Sequence, residues 1–140
     1  MGNLSYFLAG NAEKRENRKI VVSDRFRDTN GPVAWELRSI SATEDEAIRK
    51  SCTKNVPVTG KKGQYTQTFD ANAYLAKLAS AAIVFPDLNN TELQNSYGVM
   101  GAEQLVKTML YKDEFDRLAD ALVDATDMED INDLVDEAKN

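Results

Sequence analysis

Residues 85–118 read FPDLNNTELQNSYGVMGAEQLVKTMLYKDEFDRL, a succession of short helical pieces whose stops and starts are written into the residues. Pro86 lacks a backbone donor and pushes the residue before it out of the α region, so it ends the helix that precedes it. Asn90 or Thr91 is placed to cap a short helix through about Tyr97, and Gly98 to close it in the left-handed conformation. Residues 99–110 predict another short helix. Over residues 112–127 the apolar set Tyr111, Phe115, Leu118, Leu122 and Ala125 forms one continuous helical stripe. Asp113 and Glu114 fall in its first turn, where the helix dipole favours acids.

Upstream, Asp70 can N-cap a helix over 71–84 in which Lys77 is the only charged residue. Such a helix is covered on almost its whole circumference, which makes it the central core element. Thr43-Glu44-Asp45-Glu46 has the form of a capping box, Thr43 accepting from the N3 amide and Glu46 reaching back, and predicts a helix over about 44–54. Ile20, Val21 and Val22 favour strand, and residues 33–40 alternate, with Val33, Trp35 and Leu37 on one side. Asn30-Gly31 between them supplies positive φ, so a β-hairpin follows. Residues 56–69, with Pro57, the turn Gly60-Lys61-Lys62-Gly63 and an alternating run to Phe69, predict a second hairpin. At the ends, 1–19 is expected as a flexible segment holding one apolar turn, LSYFL at 4–8. Residues 128–140 are expected as a mobile acidic helix with Met128, Ile131, Leu134, Val135 and Ala138 on one face; it is too short to persist alone.

With 140 residues, 42% hydrophobic and 29% charged, the chain fits one domain with a real core. The fold class expected is α+β: a mostly helical single domain, 1–140, with one or two N-terminal hairpins packed on the buried helix at 71–84. The net charge of −6 is divided unevenly: residues 1–70 carry 12 basic and 9 acidic side chains, residues 71–140 carry 5 and 14. An acidic second half keeps a protein soluble and argues against nucleic acid as its main ligand. One cysteine, Cys52, and no histidine rule out an internal disulfide and the usual zinc constellations, and fit a reducing cytoplasm. The N-terminus has neither the cationic region of a signal peptide nor the length of a membrane span.

Each candidate for chemistry has a plainer explanation. The eleven acids between Asp113 and Glu137 invite a metal or acid/base site, but helices expose charged faces and no EF-hand spacing occurs. Cys52 has no histidine to activate it. Gly60-Lys61-Lys62-Gly63 matches the GXXG clamp of KH domains, yet that loop must join two helices and strand-like sequence follows here. Trp35 and Tyr65 can stack on bases, but an aromatic residue on the inner face of a hairpin belongs more often to a core. Nucleotide-binding glycine patterns are absent. What remains is apolar surface at helical spacing near the C-terminus, and Leu105, Met109, Leu110, Leu122, Ile131, Leu134 and Val135 are the candidate partner-binding residues.

The order of these features resembles the XkdN-like tail assembly chaperones of contractile-tailed phages and prophages. The likeness is carried by Asp24-Arg25-Phe26, the Gly31 turn with Trp35-Glu36-Leu37, Glu44 and Glu46 with Ile48-Arg49, Pro86-Asp87-Leu88, Leu93-Gln94, Tyr97-Gly98, Leu105, Met109-Leu110, Glu114-Phe115 and Leu118. The resemblance implies a non-catalytic, cofactor-free chaperone of the host cytoplasm. It would bind and solubilise the tape measure protein until tail-tube subunits polymerise, and would be absent from the finished virion. It also implies, as further partners, a frameshifted longer form of the chain and the tail-tube protein, and is compatible with a homo-oligomer. Two alternatives stay open: a structural tail or neck component retained in the particle, and a small nucleic-acid-binding regulator using Lys61 and Lys62.

Overall fold

Residues 2–122 are described by the computed structural model. A 3-10 helix over Gly2–Phe7 is followed by four short strands, β1 (Arg18–Ile20), β2 (Arg27–Asp28), β3 (Gly31–Pro32) and β4 (Trp35–Leu37). Next come α1 (Ala42–Ser51), β5 (Thr53–Pro57), β6 (Tyr65–Phe69), α2 (Ala71–Ala82) and β7 (Ile83–Phe85). Three short helices complete the order: α3 (Thr91–Ser96), α4 (Ala102–Met109) and α5 (Lys112–Leu122). The class is α+β.

The uncharged run after Asp70 becomes the central helix α2. Asp70 accepts a hydrogen bond from the Ala73 amide at 3.0 Å, and Ala71, Tyr74, Leu75, Ala76, Leu78, Ala79 and Ala82 are buried. Helices α1, α4 and α5 pack around it. One cluster gathers Val22, Trp35, Leu37, Ala79, Ile83, Leu88, Leu105, Val106, Met109, Leu110 and Leu118. A second joins Cys52, Tyr74, Leu75, Leu78 and Ala119, and Phe115 and Leu122 touch both. From the stripe foreseen on the 112–127 helix, Phe115, Leu118 and Leu122 tie the two halves of the core together, whereas Tyr111 is exposed and carries the Arg25 guanidinium on its ring; the continuation past Leu122, with Ala125, lies outside the described residues.

Several boundaries differ from those expected. The core helix stops at Ala82 and not at Val84, because Ile83-Val84-Phe85 are β-favouring residues ahead of Pro86 and β4 offers them an open edge. β7 thus becomes a third strand in the sheet β1-β4-β7, and the Phe85–Pro86 peptide is cis. The first hairpin pairs Arg18, Lys19 and Ile20 with Leu37, Glu36 and Trp35, two residues earlier than expected. Val22 leaves the ladder and is fully buried, and the Gly31 turn carries its own small ribbon, β2 with β3. The capping box is Ser41 with Glu44, not Thr43 with Glu46: the Ser41 hydroxyl accepts from the Glu44 amide and the Glu44 carboxylate accepts from the Ser41 amide, both at 3.2 Å. Helix α1 accordingly covers 42–51, ending three residues before the expected Lys54.

Of the two cap candidates Asn90 caps α3, accepting from the Leu93 amide at 2.9 Å, with Thr91 the first helical residue, and Gly98 takes φ of 66° just beyond the helix. Gly101, at φ 92°, delays the next helix to Ala102 instead of residue 99. The second hairpin forms over the full length of β5 and β6, but Tyr65 is exposed on it and not part of a core.

Candidate partner-binding surfaces

The sequence-derived candidates divide in two. Leu105, Met109 and Leu110 are buried in the first core cluster, and Leu122 is half-buried between the clusters. They hold helices α4 and α5 on α2: a stripe at helical spacing faces a partner or the chain's own core, and these candidate partner-binding residues pack into the core. Ile131, Leu134 and Val135 lie outside the described residues.

The open apolar surface is elsewhere. Leu4, Tyr6, Phe7 and Leu8 on and beside the N-terminal 3-10 helix are 53–78% exposed. Residues 2–10 carry no charge, and the segment is closed locally, with the Asn11 and Ala12 amides donating to the Leu8 carbonyl at 2.9 Å. Contiguous exposed apolar side chains without a polar face are unusual on a folded protein and mark contact sites. The signal in the sequence was LSYFL itself, a dense apolar run followed directly by a polar connector.

A second open patch lies on the outer face of the β1-β4-β7 sheet. Leu37 opposes Ile83 and Glu36 opposes Phe85, so Val84 is the extra residue of a β-bulge. The bulge turns both Val84 and Phe85 to solvent, 44% and 52% exposed. With Lys19, Ala34 and Glu36 they line an open cleft of about 590 Å³. Asn17 Nδ2 donates to Glu36 Oε2 at 3.1 Å, so the N-terminal connector passes the rim of this cleft. Assigned to the end of the 71–84 helix in the sequence, Val84 could not be recognised as surface, and Phe85 was placed only as the residue ahead of Pro86.

The charged groups with shifted acidity are structural. Glu114, almost wholly buried, accepts from Arg25 Nε at 2.9 Å, from Arg25 Nη2 at 2.5 Å and from the Tyr111 amide at 2.8 Å. The Arg25 guanidinium holds its carboxyl down at about 2. Arg25 also donates to the Met109 carbonyl at 2.8 Å and stacks on Phe26 and Tyr111. Glu44 is likewise held at about 2, first by Arg38 and then by the Ser41 amide. Burial, and then the neighbouring Asp45 carboxylate to which its hydroxyl donates, push the Tyr74 phenol upward. Each carboxylate is committed to a partner within the fold.

Cys52 is buried. Among the described residues no group of three or more cysteine, aspartate or glutamate side chains is arranged to hold a metal ion. Gly60 and Gly63 join two strands, which is not the helix-to-helix loop of a KH clamp. No helix among the described residues is long and apolar enough to cross a membrane.

Comparison with known proteins places this arrangement. The chain is 27% identical over 143 residues to the phage-like element PBSX protein XkdN of Bacillus subtilis (strain 168), across 99% of this chain and 94% of that protein. It is 27% identical over 111 residues to the uncharacterized protein YqbN of the same strain, covering 77% of this chain and 72% of that one. The crystal structure of the protein YqbN superposes with a TM-score of 0.65 over 97% of this chain and 95% of that one, at 18% identity, a likeness of fold. Residues 4–139 match the model of the phage XkdN-like tail assembly chaperone protein, and with these surfaces and this fold the chain belongs to that family of tail assembly chaperones.

Proposed function

We propose that this chaperone binds the tape measure protein in the host cytoplasm and keeps it soluble until tail-tube subunits polymerise, without catalysis and without remaining in the finished particle. The observation that carries this assignment is the uncharged, exposed segment with Leu4, Tyr6, Phe7 and Leu8, in a chain of the tail-assembly-chaperone family. A long helical protein presents repeated apolar faces, and a short exposed apolar segment joined to the body by a polar connector can seat on many of them. Each contact is weak, so the chaperone is displaced by mass action when tube subunits take its place, with no nucleotide required. The outer cleft beside Val84 and Phe85 adds a second apolar contact at the point where the connector reaches the body. The acidic surplus of the chain maintains the solubility of the coated complex.

Co-expression tests this directly: the tape measure protein should move from the insoluble to the soluble fraction and co-purify with the chaperone. Absence of co-purification at every salt concentration overturns the assignment. Mass spectrometry of purified tails should find the chaperone depleted relative to tube and sheath; stoichiometric retention instead identifies a structural tail component.

A further inference from the structure

The β5–β6 hairpin stands apart from the rest of the fold. It forms a sheet of its own, with Thr53 opposite Phe69 and Pro57 opposite Tyr65. Both outer edges are unpaired among the described residues, and apart from Thr53 and Phe69 at its root every strand residue is exposed. Among the described residues only that root is anchored: Phe69 packs on Tyr74 at 5.5 Å between ring centroids, and the Asp70 amide donates to the Cys52 carbonyl at 2.8 Å. A free two-stranded ribbon is marginally stable in water, and its open edges invite pairing with other chains.

The ribbon is also strongly one-signed. Residues 53–69 contain Lys54, Lys61 and Lys62 and no acid, and none of the three lysines has a carboxylate partner among the described residues. Lys61 and Lys62 sit with Pro57, Val58 and Tyr65 around an open concavity of about 370 Å³ at the tip. The complementary charge lies in the same chain. Residues 123–140 hold seven acids and one lysine, a net −6, interleaved with Met128, Ile131, Leu134 and Val135. Leu122, from which this segment continues, packs on the same cluster as Phe69 at the ribbon's root. Eighteen residues reach about 27 Å as a helix, against about 17 Å for a five-residue strand.

We propose that the β5–β6 ribbon is the docking site of the chain's own acidic segment 123–140, which covers Lys54, Lys61, Lys62 and Tyr65 and shields the open strand edges. Charge complementarity selects this occupant, and the shared root makes the contact intramolecular at high effective concentration. This is independent of what the N-terminal segment binds.

Zero-length carbodiimide cross-linking of the full chain tests it, using a mixture of ¹⁴N- and ¹⁵N-labelled protein. Isotopically unmixed cross-links should join Lys54, Lys61 or Lys62 to carboxylates of 123–140 and fall at least tenfold in 0.5 M salt. Hydrogen exchange provides the second readout: amides of 53–69 should exchange faster in the D130K/D133K variant and regain protection when K61E/K62E is added. Isotopically mixed cross-links, which make the occupant a second copy, overturn the proposal. So does an absence of ribbon-to-tail cross-links, or ribbon exchange unaffected by the tail substitutions.

Discussion

Arg25 and Glu114, 89 residues apart in the chain, close a two-point ion pair at 2.9 and 2.5 Å that fastens the loop after β1 to the first turn of α5. The same guanidinium reaches the Met109 carbonyl at 2.8 Å, and Arg117 of α5 returns a bond of 2.8 Å to the Val22 carbonyl. Arg18 adds a bond to the Ala121 carbonyl. Polar lashings thus add to the apolar cluster of Val22, Trp35, Leu37, Leu105 and Leu118 in holding the strand layer to the C-terminal helices.

Acid should loosen this joint. The folded pKa of Glu114 is about 2 against an ordinary 4.5, so the folded state binds fewer protons than the unfolded state between those values. The stabilisation is complete above pH 4.5 and is lost as pH falls towards 2; Glu44 has the same sign and window. Thermal melts of Glu114→Gln should lie several degrees below wild type at pH 7 and converge with it near pH 2. A constant gap across that range sinks the assignment.

Helix α1 offers a test between two adjacent caps. Ser41→Ala should cost about 0.5–2 kcal/mol by denaturant unfolding, because Ser41 holds the Glu44 amide. Thr43→Ala, at a helical position facing solvent, should change stability by less than about 0.5 kcal/mol. The reverse order restores the Thr43 box.

Leu105 is fully buried among Trp35, Leu37 and Leu118. Leu105→Ala should cost about 2–5 kcal/mol through lost transfer energy and the cavity left behind. Urea unfolding measures this; a loss under about 1 kcal/mol means that the position is not core.

Tyr6→Asp and Phe7→Asp place charges on a surface that makes no core contact. Melting temperatures should stay within a degree or two of wild type while affinity for the tape measure protein falls at least tenfold, about 1.4 kcal/mol. Unchanged affinity by titration calorimetry removes these residues from the binding surface.

Much of the fold was legible because its signals are local. Asp70 and Asn90 each accept from the amide three residues on, Gly98 donates to the Asn95 carbonyl three residues back, and the uncharged stretch after Asp70 is buried whatever it packs against. The candidate site was less so. Leu105, Met109 and Leu110 have the periodicity of a docking face and of a core face alike, and only the presence of α2 decides between them. Arg25 and Glu114 both carried the family likeness, yet nothing local couples residues 89 apart.

By itself the sequence determined the class of fold, the central helix, most turns and the family, since caps, prolines, glycines and hydrophobic period are properties of short segments. Tertiary structure alone decided that Ile83, Val84 and Phe85 are a strand and that α4 is core. It also left the N-terminal Leu4, Tyr6, Phe7 and Leu8 as the open apolar surface. Whether an apolar residue is buried depends on which distant element reaches it, and a free sheet edge lets β-favouring residues end a helix that the apolar run alone would have continued.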